Sequence, residues 1–309
     1  MKQTSETIVF FGSGPVAAAS LRLLAENFTV EAVVTKPRPE HHRGPVPVLE
    51  VAANLKLPVL TATNRKTLDE LFAARPVTSK LGVLIDFGII VSQQVIDYFP
   101  LGIINSHFSL LPEWRGADPI TFSVLSGQKR TGISLMLLTA GMDEGPLLAQ
   151  TPYDLPPDIT TPALTDALIE LSDFSLTHIL PLWFEGATTA QPQEAVTMAD
   201  SKEPTYSRKL SKEDGILDWT KPAIKLEREI RAFLGWPKSR TTFGTLEVVI
   251  TKAHVIDVSG TPGTRVIQGK QPVVYCGAQA LAIDQIKPAG KQEMTGEAFL
   301  AGYKQIFLG

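Results

Sequence analysis

Asn105 and His107 stand two residues apart in the run Ile103-Ile104-Asn105-Ser106-His107. On an extended strand that spacing turns both side chains to one face. A second strand-like run, Ile133 to Leu138, leads to Asp143 in a turn bracketed by Gly141 and Gly145. An amide can donate to a developing oxyanion. An imidazole can donate as well, or deliver a proton to a leaving nitrogen. A carboxylate can orient the imidazole or collect the proton shed by an attacking amine. The set suits acyl transfer between nitrogens without a covalent enzyme intermediate. With Ser106 or Ser109 as nucleophile the same groups would make a Ser-His-Asp hydrolase, but neither serine lies in a G-x-S-x-G elbow. Singly, His107 reads as a hydrogen-bonded structural histidine and Asp143 as a turn cap. Their clustering points to catalysis.

Elements that place such groups at strand ends run through the first half of the chain. Ile8 to Phe11, the turn Gly12-Ser13-Gly14 and a helical pattern through Leu24 open a doubly wound α/β domain. Ala17 stands where GxGxxG requires its third glycine, and no acidic residue closes the run Val30 to Thr35. Gly12 and Gly14 therefore read as a tight strand-to-helix turn, which disfavours a Rossmann oxidoreductase. Helices at Leu49 to Leu55 and Thr67 to Ala73 alternate with strands at Val59-Leu60 and Leu81 to Ile85. This alternation predicts a Rossmann-like parallel sheet covered on both faces, with ligands beyond the carboxyl ends of its strands. Asp86, Asn105 and His107 fall there. Thr161 to Trp183 predicts a long covering helix. The stretch after it is Ala/Thr/Gln/Pro-rich and aperiodic, and residues 189–205 read as a linker. An amphipathic helix over Ala223, Leu226, Ile230 and Phe233 precedes short strands between Gly/Pro turns, the pattern of a small OB-like β-barrel. The expected division is 1–188, a catalytic domain, then the linker, then 206–309, the barrel.

Composition narrows the classes. At 309 residues two domains are expected. No apolar run approaches the ~20 residues of a membrane span, and the N-terminal residues lack a signal-peptide pattern. The single cysteine, Cys276, cannot form an internal disulfide framework and fits a cytoplasmic location. Adjacent His41 and His42 point apart in a proline-rich loop and make poor joint ligands, so no metal is expected. Net charge is uneven. From Tyr206 onward there are 15 Lys and Arg against 10 Asp and Glu, leaving 14 against 22 before it. A basic C-terminal third suits a polyanionic partner.

The motif Asn105-x-His107-x-Ser109-Leu110-Leu111-Pro112-x-x-Arg115-Gly116, followed by Gly141-x-Asp143-x-Gly145, resembles that of the 10-formyltetrahydrofolate-dependent formyltransferases. The resemblance spans nearly the whole chain. Tyr206-Ser-Arg-Lys-Leu, Ile216-Leu-Asp-Trp219, Trp236-Pro237 and Lys287-Pro-Ala-Gly-Lys291 are similar to the tail of its methionyl-tRNA branch. That resemblance implies formyl transfer from 10-formyltetrahydrofolate to the α-amine of methionyl-initiator-tRNA, with Asn105, His107 and Asp143 catalytic. It implies folate contacts from Asp86, Phe87, Gly88, Ser109, Leu110, Leu111, Pro112 and Gly141. It also implies tRNA contacts from Arg43, Arg208, Lys209, Lys287 and Lys291. No obligate protein partner is implied, and a monomer is expected. The rival readings are formyl transfer to another amine, in a sugar nucleotide or purine precursor, and a non-catalytic tRNA- or folate-binding relative. Pro146 departs from the family pattern, which has Asp after Gly145.

Overall fold

A computed structural model describes residues 6–41, 43–200 and 203–309, so the His42 side of the expected histidine pair lies outside the described residues. The chain forms two compact units. The first comprises Met1–Gly116, Arg130–Asp154 and Thr165–Ser207, and the second Ala117–Lys129, Leu155–Leu164 and Arg208–Gly309.

In chain order the elements are β1 (Thr7–Phe11), α1 (Pro15–Asn27), β2 (Thr29–Thr35), α2 (Pro47–Asn54), β3 (Val59–Thr61) and α3 (Arg65–Ala73). Next come β4 (Leu81–Leu84), α4 (Gln93–Asp97), β5 (Ile103–His107), the two-residue β6 (Arg115–Gly116) and α5 (Pro119–Ser126). Then follow β7 (Arg130–Leu137), β8 (Leu147–Asp154), α6 (Thr161–Phe184), α7 (Gln193–Val196) and the two-residue β9 (Tyr206–Ser207).

The main sheet of the first unit has the order β3-β2-β1-β4-β5-β7-β8. From β3 to β5 all pairings are parallel, and the order reverses at β1, the doubly wound arrangement expected. β7 runs antiparallel to β5, and β8 antiparallel to β7. Residues 138–146 are too short a connection for a parallel crossover, so β7 and β8 must pair as a hairpin. That connection carries Asp143.

Coverage on both faces explains the unbroken apolar strands. Ile8 to Phe11 are fully buried, and the Phe11 ring sits 5.7, 5.5 and 5.8 Å from those of Phe72, Phe87 and Phe99. The first pair is stacked and the other two edge-to-face, and such pairs add to the area term. Gly12 serves packing: a Cβ there would lie 2.5 Å from the Ala17 Cβ, so the glycine lets α1 close on the sheet.

Residues 189–205, expected as a linker, lie in the first unit. Gln191 and Leu147 exchange backbone bonds of 2.8 and 2.7 Å. The Thr197 hydroxyl donates to the Leu111 carbonyl at 2.6 Å, and Arg115 N–H donates to the Thr205 carbonyl at 2.9 Å. Backbone bridges and single side-chain bonds leave no periodic pattern, which is why the composition suggested a loose tether.

The second unit adds α8 (Ala223–Ala232), β10 (Ser239–Phe243), β11 (Leu246–Ile256), β12 (Arg265–Gln268), β13 (Gln271–Tyr275), β14 (Ala280–Pro288), β15 (Met294–Thr295) and α9 (Gly296–Leu308). As the pattern predicts, α8 buries Ala223, Leu226 and Ile230. The antiparallel order is β10-β11-β14-β13-β12, with β15 on β14. Among the described residues the expected barrel is not closed. Its ends, β10 and β12, do not pair; α9 packs against both, and Phe307 meets the β10 residue Phe243 edge-on at 5.0 Å. The Arg265 guanidinium of β12 reaches across, 5.9 Å over the Phe243 ring. The helix α9 was not read from the sequence, although Phe299, Leu300, Tyr303 and Phe307 recur at helical spacing; in the structure Tyr303 (φ −132°, ψ 16°) kinks it.

Candidate active site

β5 lies inside the sheet and buries all five of its residues. Its alternation separates the side chains as the spacing predicts. Ser106 faces α6, where its hydroxyl bonds that of Ser172 at 2.7 Å. Asn105 and His107 take the opposite face, 7 % and 6 % exposed. The connection after β7 starts beside β5, with Leu138 N–H donating to the Ile103 carbonyl at 2.8 Å. It then carries Asp143 over that face. Asn105 Nδ2 lies 3.4 Å from Asp143 Oδ1, and His107 Nδ1 lies 3.7 Å from Asp143 Oδ2. All three predicted groups converge.

The histidine has a defined tautomer. His107 Nε2 is 2.9 Å from the Trp114 carbonyl oxygen. A carbonyl only accepts, so Nε2 carries a proton, and Nδ1 is the nitrogen left for chemistry. Its 3.7 Å separation from the carboxylate exceeds a hydrogen bond, a spacing common before substrate tightens a site.

Asp143 is held from several sides. Its backbone adopts φ +51°, a left-handed conformation uncommon for a non-glycine residue. Gly116 N–H donates to its Oδ2 at 2.8 Å. Gly116 itself has φ +102°, and a Cβ there would lie 2.6 Å from the Ser207 carbonyl oxygen, so this donor position requires glycine. The Gln193 side-chain amide donates to the carbonyls of Asp143 and Gly145 at 2.8 and 3.0 Å. Arg115 Nη2 in turn donates to Gln193 Oε1 at 2.7 Å, and Arg115 Nη1 lies 3.8 Å from Glu144 Oε2. Sequence reasoning had Arg115-Gly116 as part of the family motif, with no role given to either, and missed Gln193 altogether. A lone glutamine in a Gln/Pro-rich stretch carries no local signal.

Of the folate-contact candidates, Asp86 and Gly88 are exposed and Gly141 is partly exposed. Asp86 has φ +48° and packs on Gly14, where a Cβ would sit 1.7 Å from its Oδ2. Beside them Ile90 is 74 % exposed, an apolar surface at the mouth of a strand-end loop. Phe87 differs: its ring is buried against Phe11. Ser109, Leu110, Leu111 and Pro112 are buried too. Ser109 donates its hydroxyl to the Glu113 carbonyl, and Leu111 packs on Met136 and Leu147. The side chains of these five are buried within the fold. With Ser106 on Ser172 and Ser109 fully buried, neither serine is placed as a nucleophile for His107.

Among the polyanion-contact candidates, Arg43, Lys209, Lys287 and Lys291 are exposed. Arg208 is tied to Asp214 through both guanidinium nitrogens, and this pairing, with the Ser211 N–H bond, holds the Asp214 carboxyl well below the usual range. Lys287 lines a cleft of about 910 Å³ in the second unit with Lys238, Arg240 and Lys252.

The model of the Formyl transferase family matches residues 7–178, and that of the Formyl transferase C-terminal domain matches residues 209–304. The chain is 37 % identical to a methionyl-tRNA formyltransferase of Chloroflexus aggregans over 96 % of each chain. It is also 37 % identical to one of a Roseiflexus species, covering 96 % of this chain and 92 % of that one. In fold it is similar to a Helicobacter canadensis N-formyltransferase solved with folinic acid and dTDP-3-aminofucose. That match has a TM-score of 0.67 and 16 % identity, over 90 % of this chain and 99 % of that chain.

Proposed function

This chain belongs to the methionyl-tRNA formyltransferase family, and we propose that Asn105, His107 and Asp143 are the groups with which it formylates methionyl-initiator-tRNA. The formyl donor is 10-formyltetrahydrofolate. The observation that carries the residue assignment is the convergence of amide, imidazole and carboxylate on one buried face of β5.

The reaction forms a C–N bond between the methionyl α-amine and the formyl carbon and breaks the bond from that carbon to N10. The amine loses a proton, and N10 gains one. Charge builds on the formyl oxygen as the amine adds. Asn105 has a second amide N–H beyond the one facing Asp143, and His107 in its imidazolium form presents Nδ1–H. Both donors stand fixed before the charge appears, which is how such donors lower a barrier. Asp143, with one oxygen already bonded to Gly116 N–H, keeps its carboxylate opposite the imidazole and takes up the amine's proton, directly or through water. Asp86, Gly88, Gly141 and the exposed Ile90 supply the rim that receives the folate. The three reacting groups belong to residues 1–188. Arg43 and the tail lysines, Lys209, Lys287 and Lys291, meet the tRNA backbone, with residues 206–309 supplying most of that grip. The enzyme works as a cytoplasmic monomer. Among the described residues no helix is long and apolar enough to cross a membrane.

The test is a formyl-transfer assay with 10-formyltetrahydrofolate and four acceptors: charged initiator tRNA, charged elongator tRNA, free methionine and an amino-sugar nucleotide. Charged initiator tRNA is expected to be formylated fastest. Preference for the amino-sugar nucleotide would replace this reading with formyl transfer to a small amine.

A further inference from the structure

Gln193 is 2 % exposed, and every hydrogen-bonding atom of its side chain is engaged within the active-site loops. Nε2 donates both protons to the Asp143 turn, one to the Asp143 carbonyl and one to the Gly145 carbonyl. Oε1 accepts from Arg115. The residue begins α7, whose approach is fixed where Gln191 bridges the first residue of β8. The turn it grips needs an external hold. Asp143 sits at positive φ, a conformation that costs an aspartate free energy. Gly145 packs so closely on β7 that no side chain fits, since a Cβ there would lie 1.8 Å from the Leu137 carbonyl oxygen. Pro146 has no N–H to contribute.

We infer that Gln193 is a positioning residue for catalysis: its amide clamps the Asp143 turn so that the carboxylate stands at working distance from Asn105 and His107. The neutral amide suits the task. It satisfies two carbonyls and Arg115 at once, and it adds no second negative charge beside Asp143. Arg115-Gly116 then acts twice on the same carboxylate, through the Gly116 N–H directly and through Arg115 by way of Gln193.

This inference rests on the reading of Asp143 as catalytic, and the test separates the two. Gln193→Met keeps the length of the side chain and removes its polar atoms. Gln193→Glu keeps the acceptor for Arg115 and removes both donors. Each is expected to lower kcat on the order of tenfold to a hundredfold, the scale of a small misplacement of a reacting group. KM for charged tRNA and for the folate should stay within about twofold, because substrate binding does not depend on the turn's last ångström. Added to Asp143→Asn, Gln193→Met should cause no further fall, because the clamp acts only through that carboxylate. A purely structural role would multiply with Asp143→Asn instead. Wild-type kcat in Gln193→Met or Gln193→Glu, a rise in KM without loss of kcat, or multiplicative effects would overturn the inference. So would loss of the native circular-dichroism spectrum in both single variants. If Asp143→Asn itself turns over normally, the catalytic reading fails first.

Discussion

His107 donates from Nε2 to the main-chain carbonyl of Trp114 at 2.9 Å, so the ring's free nitrogen, Nδ1, is the one turned toward Asp143. Trp114 reaches this position at φ +57°, and its own N–H is taken by the Thr205 hydroxyl at 2.9 Å. The indole side chain is incidental to the bond. A backbone acceptor cannot be altered by replacing the tryptophan side chain, so the tautomer is fixed by the path of the chain.

Removing either oxyanion donor tests the assignment of the buried pair. Asn105→Ala and His107→Ala should each reduce kcat by about 10²–10³ while leaving folate binding close to wild type. In ¹⁵N spectra the neutral His107 ring should appear as the Nε2–H tautomer. Turnover near wild type in either variant, or an Nδ1–H tautomer, would remove His107 Nδ1 from the mechanism.

How far the sequence led depends on the kind of interaction. The i, i+2 spacing on β5 was enough to place Asn105 and His107 on one face and Ser106 on the other, because strand geometry has a strict period. The glycines bracketing the Asp143 turn were legible as a turn signal, and in the structure it is space that requires Gly145, where a Cβ would lie 1.8 Å from the Leu137 carbonyl oxygen. Gln193 was not legible. Its partners are carbonyls about 50 residues away, and no local pattern reports a single tertiary hydrogen bond. The open sheet of the second unit was missed with α9: its apolar positions, Phe299, Leu300, Tyr303 and Phe307, do keep helical spacing, but spacing alone does not report that the helix packs against both β10 and β12. Phe87 came in with the Asp86-Phe87-Gly88 loop on the resemblance alone, which carries a loop and not the direction of each side chain; its ring turns into the Phe11 cluster.

Asp173 on α6 carries a cost that depends on pH. Burial, and then the neighbouring Glu26 carboxylate, raise its pKa, and its Oδ1 is buried without a partner. A carboxyl whose folded pKa is raised binds its proton more tightly in the folded state. Its favourable contribution is therefore complete below the unfolded value near ~3.9, and is lost as pH rises through the folded value. Asp173→Asn should raise stability at pH 7 by about 1 kcal/mol and have little effect near pH 3.5. Urea unfolding at both pH values checks this, and equal gains at the two would contradict it.

Cys276 follows β13 in the second unit at 2 % exposure, with its thiol donating to the Val274 carbonyl at 3.5 Å. Burial pushes its pKa up to about 11, so almost no thiolate forms at neutral pH. The folded protein should resist a soluble thiol reagent at pH 8 and react fully only in denaturant. Rapid labelling of the native protein would show that this corner of the second unit opens readily.

Phosphate contacts can be ranked by what each cation already holds. Lys287 projects from β14 opposite Val249 and lines the basic cleft, whereas Arg208 is already balanced by Asp214. A cation that neutralises a phosphate releases counterions, and its loss lowers the slope of log affinity against log salt by about 1. A guanidinium engaged by a carboxylate must first break that bond, so it releases less on binding. Lys287→Ala should therefore weaken charged initiator tRNA binding and reduce the salt slope by about 1, while Arg208→Ala changes the slope by a fraction of that. Binding isotherms over a range of salt concentrations give both slopes. A slope unchanged by Lys287→Ala but reduced by Arg208→Ala would move the tRNA contact away from the cleft and onto the start of the second unit's tail.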